Sequence, residues 1–192
     1  MKTPPPELTA RLIAVSDQLD GTDFDVTIDA VAKLVDVPRA TLYYYFSGKE
    51  DLIAFFLNAK FSLVRDAIAT AAATDGTVSD RLARTMTTIL HALSEHPPLC
   101  TKLPIAVKRA GMMDDVMANA DRVLITPIRE LLIEGRATGE FAIPDINLAA
   151  TALMGALSFV GMMHLTISGR LDADRVAEDL VPMLVNGLRT RN

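Results

Sequence analysis

The chain has 192 residues, of which 50% are hydrophobic and 22% charged, a composition typical of a folded globular protein. It has no tryptophan and a single cysteine, Cys100, which excludes a fold stapled by internal disulfides. The formal charge of −5 argues against a protein that coats nucleic acid through bulk positive charge. The first seven residues lead into no apolar core, so we expect no secretory signal and a cytoplasmic location.

The front of the chain predicts four helices. The first, Glu7–Leu19, has apolar residues at spacings of three and four and stops before Gly21. Thr27 is placed as the N-cap of the second, and Pro38 stands where a short third helix begins. Ser47 and Glu50 have the spacing of a capping box, which predicts the start of a long fourth helix running towards Gly76.

The rear of the chain predicts at least five more helical segments. They are Ser79–Glu95, Leu99–Ala110, Met112–Arg136 with a kink or break at Pro127, a helix capped by Asp145, and a last helix capped by Asp172. We therefore expect an all-α protein of about nine helices. A change in composition near residue 65 divides it into a head, residues 1–65, and a body, residues 66–192.

The segment Ile146–Gly169 contains no Asp, Glu, Lys or Arg, and its 24 residues are enough to span a bilayer. It also carries six polar side chains and is built largely on alanine and glycine. We therefore favour a helix that is covered on most sides, by the core and by another subunit, over a membrane span.

The segment from Thr27 to Lys49 is the most informative part of the sequence. Two short helices meet across a turn at Asp36-Val37, with the small Ala32 where the helices cross closely. This is the pattern of a helix-turn-helix, here about residues 27–46, whose second helix enters the DNA major groove. The exposed face of that helix is expected to present Arg39, Ala40, Thr41, Tyr44 and Tyr45.

The run Val37-Pro38-Arg39-Ala40-Thr41-Leu42-Tyr43-Tyr44-Tyr45-Phe46, with Lys49 following, resembles the signature of TetR-type (TetR/AcrR) transcriptional regulators. Thr27 to Ala32 fits the same signature, and the strong resemblance covers about residues 8–63. Asp36 departs from it, because the family usually has glycine at this turn. Aspartate tolerates the left-handed backbone better than most residues, so we expect a small stability cost and no change of fold.

The resemblance implies a ligand-responsive repressor that binds double-stranded DNA. Arg39 can donate two hydrogen bonds to guanine, Ala40 and Thr41 can contact a thymine methyl group, and Tyr44 is the next candidate at a base edge. Hydroxyl and ammonium groups that suit phosphate oxygens are those of Thr27, Thr41, Tyr43, Tyr45 and Lys49. For Tyr45, packing between helices is an equally good interpretation.

The head is acidic, since residues 1–60 contain six basic and nine acidic side chains. Binding must then depend on hydroxyls, backbone N–H groups and a few well-placed cations. We expect about two to three released counterions per head.

The resemblance also implies a homodimer in which the last two long helices of each chain form a four-helix bundle, and hence a palindromic operator. The residues that could form this interface are Leu148, Ala152, Gly155, Ala156 and Phe159 on one helix and Leu180, Leu184 and Leu188 on the other. The alternative is an ordinary intramolecular core.

A small-molecule pocket in each body is the family's third implication. Candidate walls are Met86, Ile89, Leu90, Leu93, Met113, Met117, Met154, Phe159 and Met162, with His91, Cys100 and His164 as polar anchors. Methionine adapts to irregular ligands, so we expect an apolar effector. Methionines at helical spacing are, however, more often plain core.

The sequence predicts no enzyme, no cofactor and no metal site. It has no phosphate-binding glycine loop, no zinc-binding His-Glu-x-x-His and no serine elbow. A metal site from His91, His96 and Cys100 is weak because Pro97 breaks the geometry. Two alternative functions stay open: an activator of the same fold, and a helical small-molecule binding protein that has lost DNA binding.

Overall fold

The computed structural model describes residues 3–19, 27–97 and 113–190, and the side chains of 16–19, 113 and 114 are outside that description. Within these ranges the chain forms nine α-helices, one π-helical turn and no strand, which confirms the all-α prediction. The helices are α1 Pro6–Leu19, α2 Ile28–Leu34, α3 Arg39–Tyr45, α4 Lys49–Ala73, α5 Val78–Glu95, α6 Met113–Ala120, α7 Thr126–Ala137, α8 Ile146–Ser168 and α9 Ala173–Leu188. The predicted helix Leu99–Ala110 lies outside the described residues.

Three predicted helix caps are present. The side chain of Thr27 accepts a hydrogen bond from the Ala30 N–H at 3.2 Å. Asp145 and Asp172 cap α8 and α9 in the same way, at 3.0 and 3.2 Å. Each cap satisfies one of the backbone donors that the first turn of a helix leaves unpaired.

Three predicted helix starts are wrong in detail. The Ser47–Glu50 capping box does not form; Gly48 is the N-cap of α4, and the Ser47 N–H donates to the Asp51 carboxylate at 2.7 Å. The capping box of the next helix is Thr77 with Asp80, so α5 begins at Val78 and not at Ser79. Pro38 is the N-cap of α3 instead of its first helical residue.

The expected break near Pro127 is present as the π-helical turn Asp121–Ile125 between α6 and α7. Proline has no backbone N–H, so the regular hydrogen-bond ladder cannot continue through it. The Arg129 guanidinium spans this irregular turn and contacts the Asp121 carboxylate at 2.9 Å. That hydrogen bond holds the pKa of Asp121 below its usual value.

Two hydrophobic clusters organise the described residues. The smaller one belongs to the head: Leu8, Leu12, Val15, Ile28, Val31, Ala32, Val35, Leu42, Phe46, Leu52 and Phe56. The larger one fills the body around α5, which packs against α4, α7, α8 and α9. α5 has a buried face because its apolar residues recur every three or four positions.

α4 takes part in both clusters. Leu52 and Phe56 belong to the head cluster, and Leu57, Phe61 and further residues towards Ile68 belong to the body cluster. A boundary at residue 65 therefore falls inside this helix. α4 is also the element through which a change in the body can reach the head.

α8 is the one helix in the described ranges that is long and apolar enough to cross a membrane. Only 33% of its most apolar window is buried in the single chain, so the expectation of a helix covered on most sides is not met within one subunit. The uncovered part forms a continuous apolar face, which is described below.

Candidate DNA-binding interface and body surfaces

The turn between α2 and α3 fixes the angle at which the two helices meet. Asp36 has φ 51, the left-handed backbone expected from the sequence. The Val37 N–H donates to the Ala32 carbonyl at 3.0 Å across this turn. Ala32 is 3% exposed, so its small side chain lets the helices approach closely.

Leu42 anchors α3 by inserting into the head cluster, where it is fully buried. Because α3 has only seven residues, one buried position fixes which side faces outwards. Arg39, Ala40 and Tyr44 are exposed, as predicted, and Thr41 is half-buried. The structure thus brings the predicted base-reading side chains onto or beside one open face.

The three consecutive tyrosines have different environments. Tyr43 and Tyr44 are 49% and 60% exposed, so both rings lie at the surface of α3. Tyr45 is half-buried against the head cluster, and its ring meets that of Tyr44 edge-on at 5.0 Å. Packing between helices, the alternative left open for Tyr45, is what the structure has.

Two predicted phosphate contacts lie at the starts of helices. Thr27 is exposed, and its oxygen is an acceptor for Ala30, so its hydroxyl proton is left to donate. Lys49 is the first residue of α4 and is half-buried. An ion pair between Arg39 on α3 and Asp29 on α2, with Nε to Oδ1 at 3.3 Å, joins the first turns of those two helices.

Few cations are available on the head. Arg11 pairs with Glu7 at 2.8 Å and also donates to the Val35 carbonyl at 3.3 Å. Lys60, counted among the six basic residues, is 1% exposed inside α4. On α2 to α4 the basic side chains at or near the surface are therefore Lys33, Arg39, Lys49 and, at the boundary with the body, Arg65, which pairs with Asp66.

Lys60 is a buried lysine that the sequence analysis missed. It lies between Phe56 and Val64 at helical spacing, so the apolar residues four positions before and after it were a usable signal. No group of three or more metal-ligating side chains occurs among the described residues.

One face of α8 is strongly apolar and uncovered. Leu148 and Phe159, both predicted interface residues, are 67% and 60% exposed. Ala152 and Gly155 are exposed beside them, and Ala156 is half-buried. The sequence analysis missed two members of this face, Met163 and Ile167, of which Ile167 is 75% exposed.

On α9 the structure corrects the predicted face. Leu180, Leu184 and Leu188 are half-buried and pack against the body cluster of their own chain. The large apolar residue that α9 exposes is Met183, at 71%. A spacing of four places residues on one face, but it does not say whether that face meets the core or a partner.

The predicted pocket walls divide into two groups. Met86, Ile89, Leu90, Leu93 and Met154 are buried in the body, and Met162 is half-buried. Three others are exposed and cannot line an internal pocket as placed: Met117, Phe159 and His164. The side chain of Met113 lies outside the described part of the chain.

The polar anchors proposed for the pocket are not assembled by the structure. His91 is at the surface, with Nε2 3.1 Å from the Asp174 carboxylate of α9. His164 is exposed on α8. Cys100 lies outside the described residues.

Solved structures with this fold come from several bacterial regulators. The fatty acid degradation regulator FadR of Bacillus halodurans has a TM-score of 0.78 at 21% identity, over 99% of this chain and 100% of that one. A TetR-family regulator from Rhodococcus sp. has a TM-score of 0.79 at 16% identity, over 97% and 100%. FadR of Bacillus subtilis, solved with stearoyl-CoA, has a TM-score of 0.76 at 16% identity, over 95% and 98%.

A search of the curated proteins found no match. Two family models do match the chain. Residues 21–54 match the model of bacterial regulatory proteins of the tetR family, and residues 75–188 match the C-terminal domain of tetracyclin repressor-like proteins. The second match alone covers more than half of the chain, which therefore belongs to the tetR family and is a ligand-responsive, DNA-binding transcriptional regulator.

Proposed function

We propose that this regulator is a homodimeric repressor that holds a palindromic operator and releases it when an apolar small molecule binds in the body. The observation that carries the proposal is the open face of α3. Arg39, Tyr43 and Tyr44 are held in solvent there while Leu42 fixes the helix from behind. We place the protein in the cytoplasm, where its operator is.

The proposed DNA contacts follow from the chemistry of that face. Arg39 reads a guanine through its terminal nitrogens, and Ala40 and the Thr41 methyl group contact a thymine methyl. Tyr44 reaches a base edge. The hydroxyls of Thr27 and Tyr43, with the Lys49 ammonium, contact phosphates and set the register. Tyr45 contributes mainly by packing, with its hydroxyl as a further phosphate donor.

The exposed face of α8 supports the dimer. A face of exposed large apolar side chains, here Leu148, Phe159 and Ile167, is typical of a subunit interface. Glycine and alanine at its centre let two copies of the helix approach closely. Met183 is a large exposed apolar residue on α9. We propose that the partner covers both helices and that Leu180, Leu184 and Leu188 lie at the edge of the contact.

The effector is proposed to be apolar because the buried walls are methionine, leucine and isoleucine. The neighbour from B. subtilis was solved in complex with stearoyl-CoA, a ligand with a long apolar chain. A ligand between α5 and α8 would press on α4, which both clusters share. The ligand releases DNA only if it binds more tightly to a state of the dimer in which the spacing of the two heads does not match the operator.

The first test is selection of duplexes from a random pool by the purified protein, followed by mobility shifts on the selected sequence. We expect a palindrome with half-sites about one helical turn apart or more. Arg39→Ala should relax the preference at one position of each half-site and cost about 1–3 kcal/mol there. Arg65→Ala is the matched control, because Arg65 is exposed on α4 and pairs with the adjacent Asp66.

A uniform loss of affinity for all duplexes in Arg39→Ala would instead make Arg39 a phosphate contact. The effector is sought by mass spectrometry of compounds released from the purified protein. An apolar compound that dissociates the selected duplex supports the proposal, and one that tightens binding contradicts release.

The acidic head favours a second candidate, a small-molecule binding protein without DNA binding. Its nine acidic residues repel phosphates, and one of its six basic residues is buried. Failure to select any duplex, together with a bound compound, would establish this alternative. A transcription assay separates repressor from activator once the operator is known.

A further inference from the structure

The contact between Asp29 and Arg39 occupies one nitrogen of the guanidinium and leaves the others open. Arg39 Nε lies 3.3 Å from Asp29 Oδ1, while the Arg39 side chain as a whole is 68% exposed. In the described part of the chain no hydrogen bond uses its two terminal nitrogens. The guanidinium carbon is also 5.8 Å from the centre of the Tyr43 ring. Two neighbours thus restrict the side chain without covering its outer edge.

The bound oxygen of Asp29 has an unusual environment. Asp29 Oδ1 is shielded from solvent and has no aligned hydrogen-bond partner among the described residues, although the rest of the side chain is open. A carboxylate oxygen without water is costly unless a cation neutralises it. Arg39 supplies that cation. A small rotation of its guanidinium would turn the ion pair into a hydrogen bond with no further loss of hydration.

Asp29 and Arg39 also line one open cleft between α2 and α3, together with Ala32, Lys33 and Val37. Asp29 is the acidic member of this lining. The Lys33 side chain is exposed to solvent. The cleft lies beside the turn that sets the angle of α3.

We propose that Asp29 is a positioning residue for base reading, which acts through Arg39. This inference rests on the proposed function. The carboxylate holds Nε, so that both terminal nitrogens of Arg39 point together at the O6 and N7 acceptors of a guanine. Fixing the fork before binding removes rotamer freedom that the contact would otherwise have to overcome. The same negative charge repels phosphates, which weakens binding to any duplex where Arg39 finds no guanine.

The test uses a duplex selected by the wild-type protein and a second duplex in which the guanine read by Arg39 is replaced in one half-site. The measured quantity is the dissociation constant for the substituted duplex divided by that for the selected duplex. Arg39→Ala should lower this ratio about 5- to 150-fold. Asp29→Asn, which keeps the shape and removes the charge, should lower it about two- to tenfold while binding to the substituted duplex becomes tighter. In the Arg39→Ala background, Asp29→Asn should leave the ratio unchanged.

Two further variants separate positioning from simple charge and from folding. Glu50→Gln is the matched control, since it removes one negative charge from an exposed position at the start of α4 that does not contact Arg39. It should change affinity for both duplexes alike. Asp29→Glu restores the charge and should recover part of the ratio, and thermal melting of each variant verifies that the head is folded.

Three results would overturn the inference while leaving DNA binding intact. The ratio in Asp29→Asn equals that of the wild type; both affinities rise together as they do in Glu50→Gln; or Asp29→Asn still lowers the ratio when Arg39 is absent. If the wild-type protein selects no duplex, the proposed function itself is contradicted, and this inference is contradicted with it.

Discussion

The head and the body each leave large side chains in solvent, but the chemistry of the two surfaces differs. On α3 the exposed rings are Tyr43 and Tyr44, which carry hydroxyls and lie beside the Arg39 cation. On α8 the exposed side chains include Phe159 and Ile167, which have no polar atom at all. The first surface can exchange its hydrogen bonds with water for hydrogen bonds with a polar partner. The second gains only by excluding water.

From this difference we propose a separate kind of partner for each surface. Hydroxyls, a guanidinium and the starts of α2 and α3 suit phosphates and base edges. A continuous aliphatic and aromatic face suits another protein surface of the same kind, and a two-fold axis supplies one in a second copy of α8. Exposed hydrophobic area alone would not have separated them.

The largest expected effect is on the α8 surface. Phe159→Glu places two charges, one from each subunit, in the proposed interface, where they lack counter-charges. Dimer formation should weaken by about 4 kcal/mol, roughly a thousandfold, because each substitution acts twice in a symmetric contact. Analytical ultracentrifugation measures the dissociation constant, and affinity for the selected duplex should fall with it.

Ile133→Glu is the matched control for this change. Ile133 is 48% exposed on α7, a helix that contributes no residue to the proposed interface, so the same charge there should leave the dimer intact. If Phe159→Glu remains as dimeric as Ile133→Glu, the partner does not cover α8 and the assignment of that surface is wrong.

The second prediction concerns the head and the dependence of its DNA affinity on salt concentration. Between α2 and the start of α4 the basic side chains at or near the surface are Lys33, Arg39 and Lys49. Each head should therefore release about two to three counterions, and a dimer should show a slope of about −4 to −5 in log K against log salt. Affinity then falls about 10²- to 10³-fold between 50 and 200 mM salt, as measured by fluorescence anisotropy on the selected duplex. A slope steeper than about −10 would mean six or more counterions per head, and hence a phosphate-binding surface that the description of α2 to α4 lacks.

Local signals in the sequence were sufficient for much of the head. Thr27 could be predicted as a cap because its hydroxyl and the Ala30 N–H are three residues apart. The left-handed backbone of Asp36 follows from the family resemblance, since the family usually has glycine at this turn. The start of α4 could not be predicted, since Ser47 and Asp51 pair through the Ser47 backbone N–H in preference to its side chain. The predicted capping box of Ser47 with Glu50 and the observed hydrogen bond from the Ser47 N–H to Asp51 involve the same five residues, and the sequence alone does not show which of the two forms.

The body was less predictable because its interactions are distant in sequence. Helical spacing correctly placed Leu180, Leu184 and Leu188 on one face of α9. That face packs partly against the body cluster of the same chain. Phe159 fitted both a pocket wall and an interface by pattern alone, and its exposure favours the interface. The ion pair of Asp29 with Arg39 escaped notice for the same reason, since it spans ten residues and depends on the angle between two helices.

Close packing inside the body gives the third prediction. Gly135 lies in α7 directly against the Phe141 ring, and a Cβ at this position would overlap the ring. Gly135→Ala should therefore lower the free energy of unfolding by about 1–3 kcal/mol, although alanine favours a helix. Gly187→Ala in α9 is the control, because a Cβ there meets no atom within 4 Å and should be neutral or stabilising. Urea denaturation of both variants measures the contrast, and equal stabilities would mean that Phe141 can move aside.

The smallest expected effect is at the N-terminus of α5, whose first turn is capped in part by a residue distant in sequence, whereas the N-terminus of α2 in the head is capped by a neighbouring residue. The first turn of α2 is capped by Thr27 beside it, whereas the first turn of α5 also receives the Glu140 carboxylate from 62 residues away. Glu140 accepts the Val78 and Ser79 N–H groups at 3.1 and 3.0 Å and the Ser79 hydroxyl at 3.0 Å. Partial burial raises the pKa of Glu140, but these hydrogen bonds outweigh it and hold the pKa below the ordinary value of 4.5.

A lowered pKa in the folded state means that ionised Glu140 stabilises the fold above pH 4.5 and that this contribution is lost as the pH falls through the folded-state pKa. Glu140→Gln should cost about 1 kcal/mol at pH 7, because the amide accepts through one oxygen and carries no charge. The gap between wild type and variant should close on acidification, as measured by urea denaturation along a pH series. Glu178→Gln, at an exposed position on α9, should show no such gap at any pH. A gap for Glu140→Gln that persists unchanged below its folded-state pKa would place the effect in packing and not in the carboxylate charge at the start of α5.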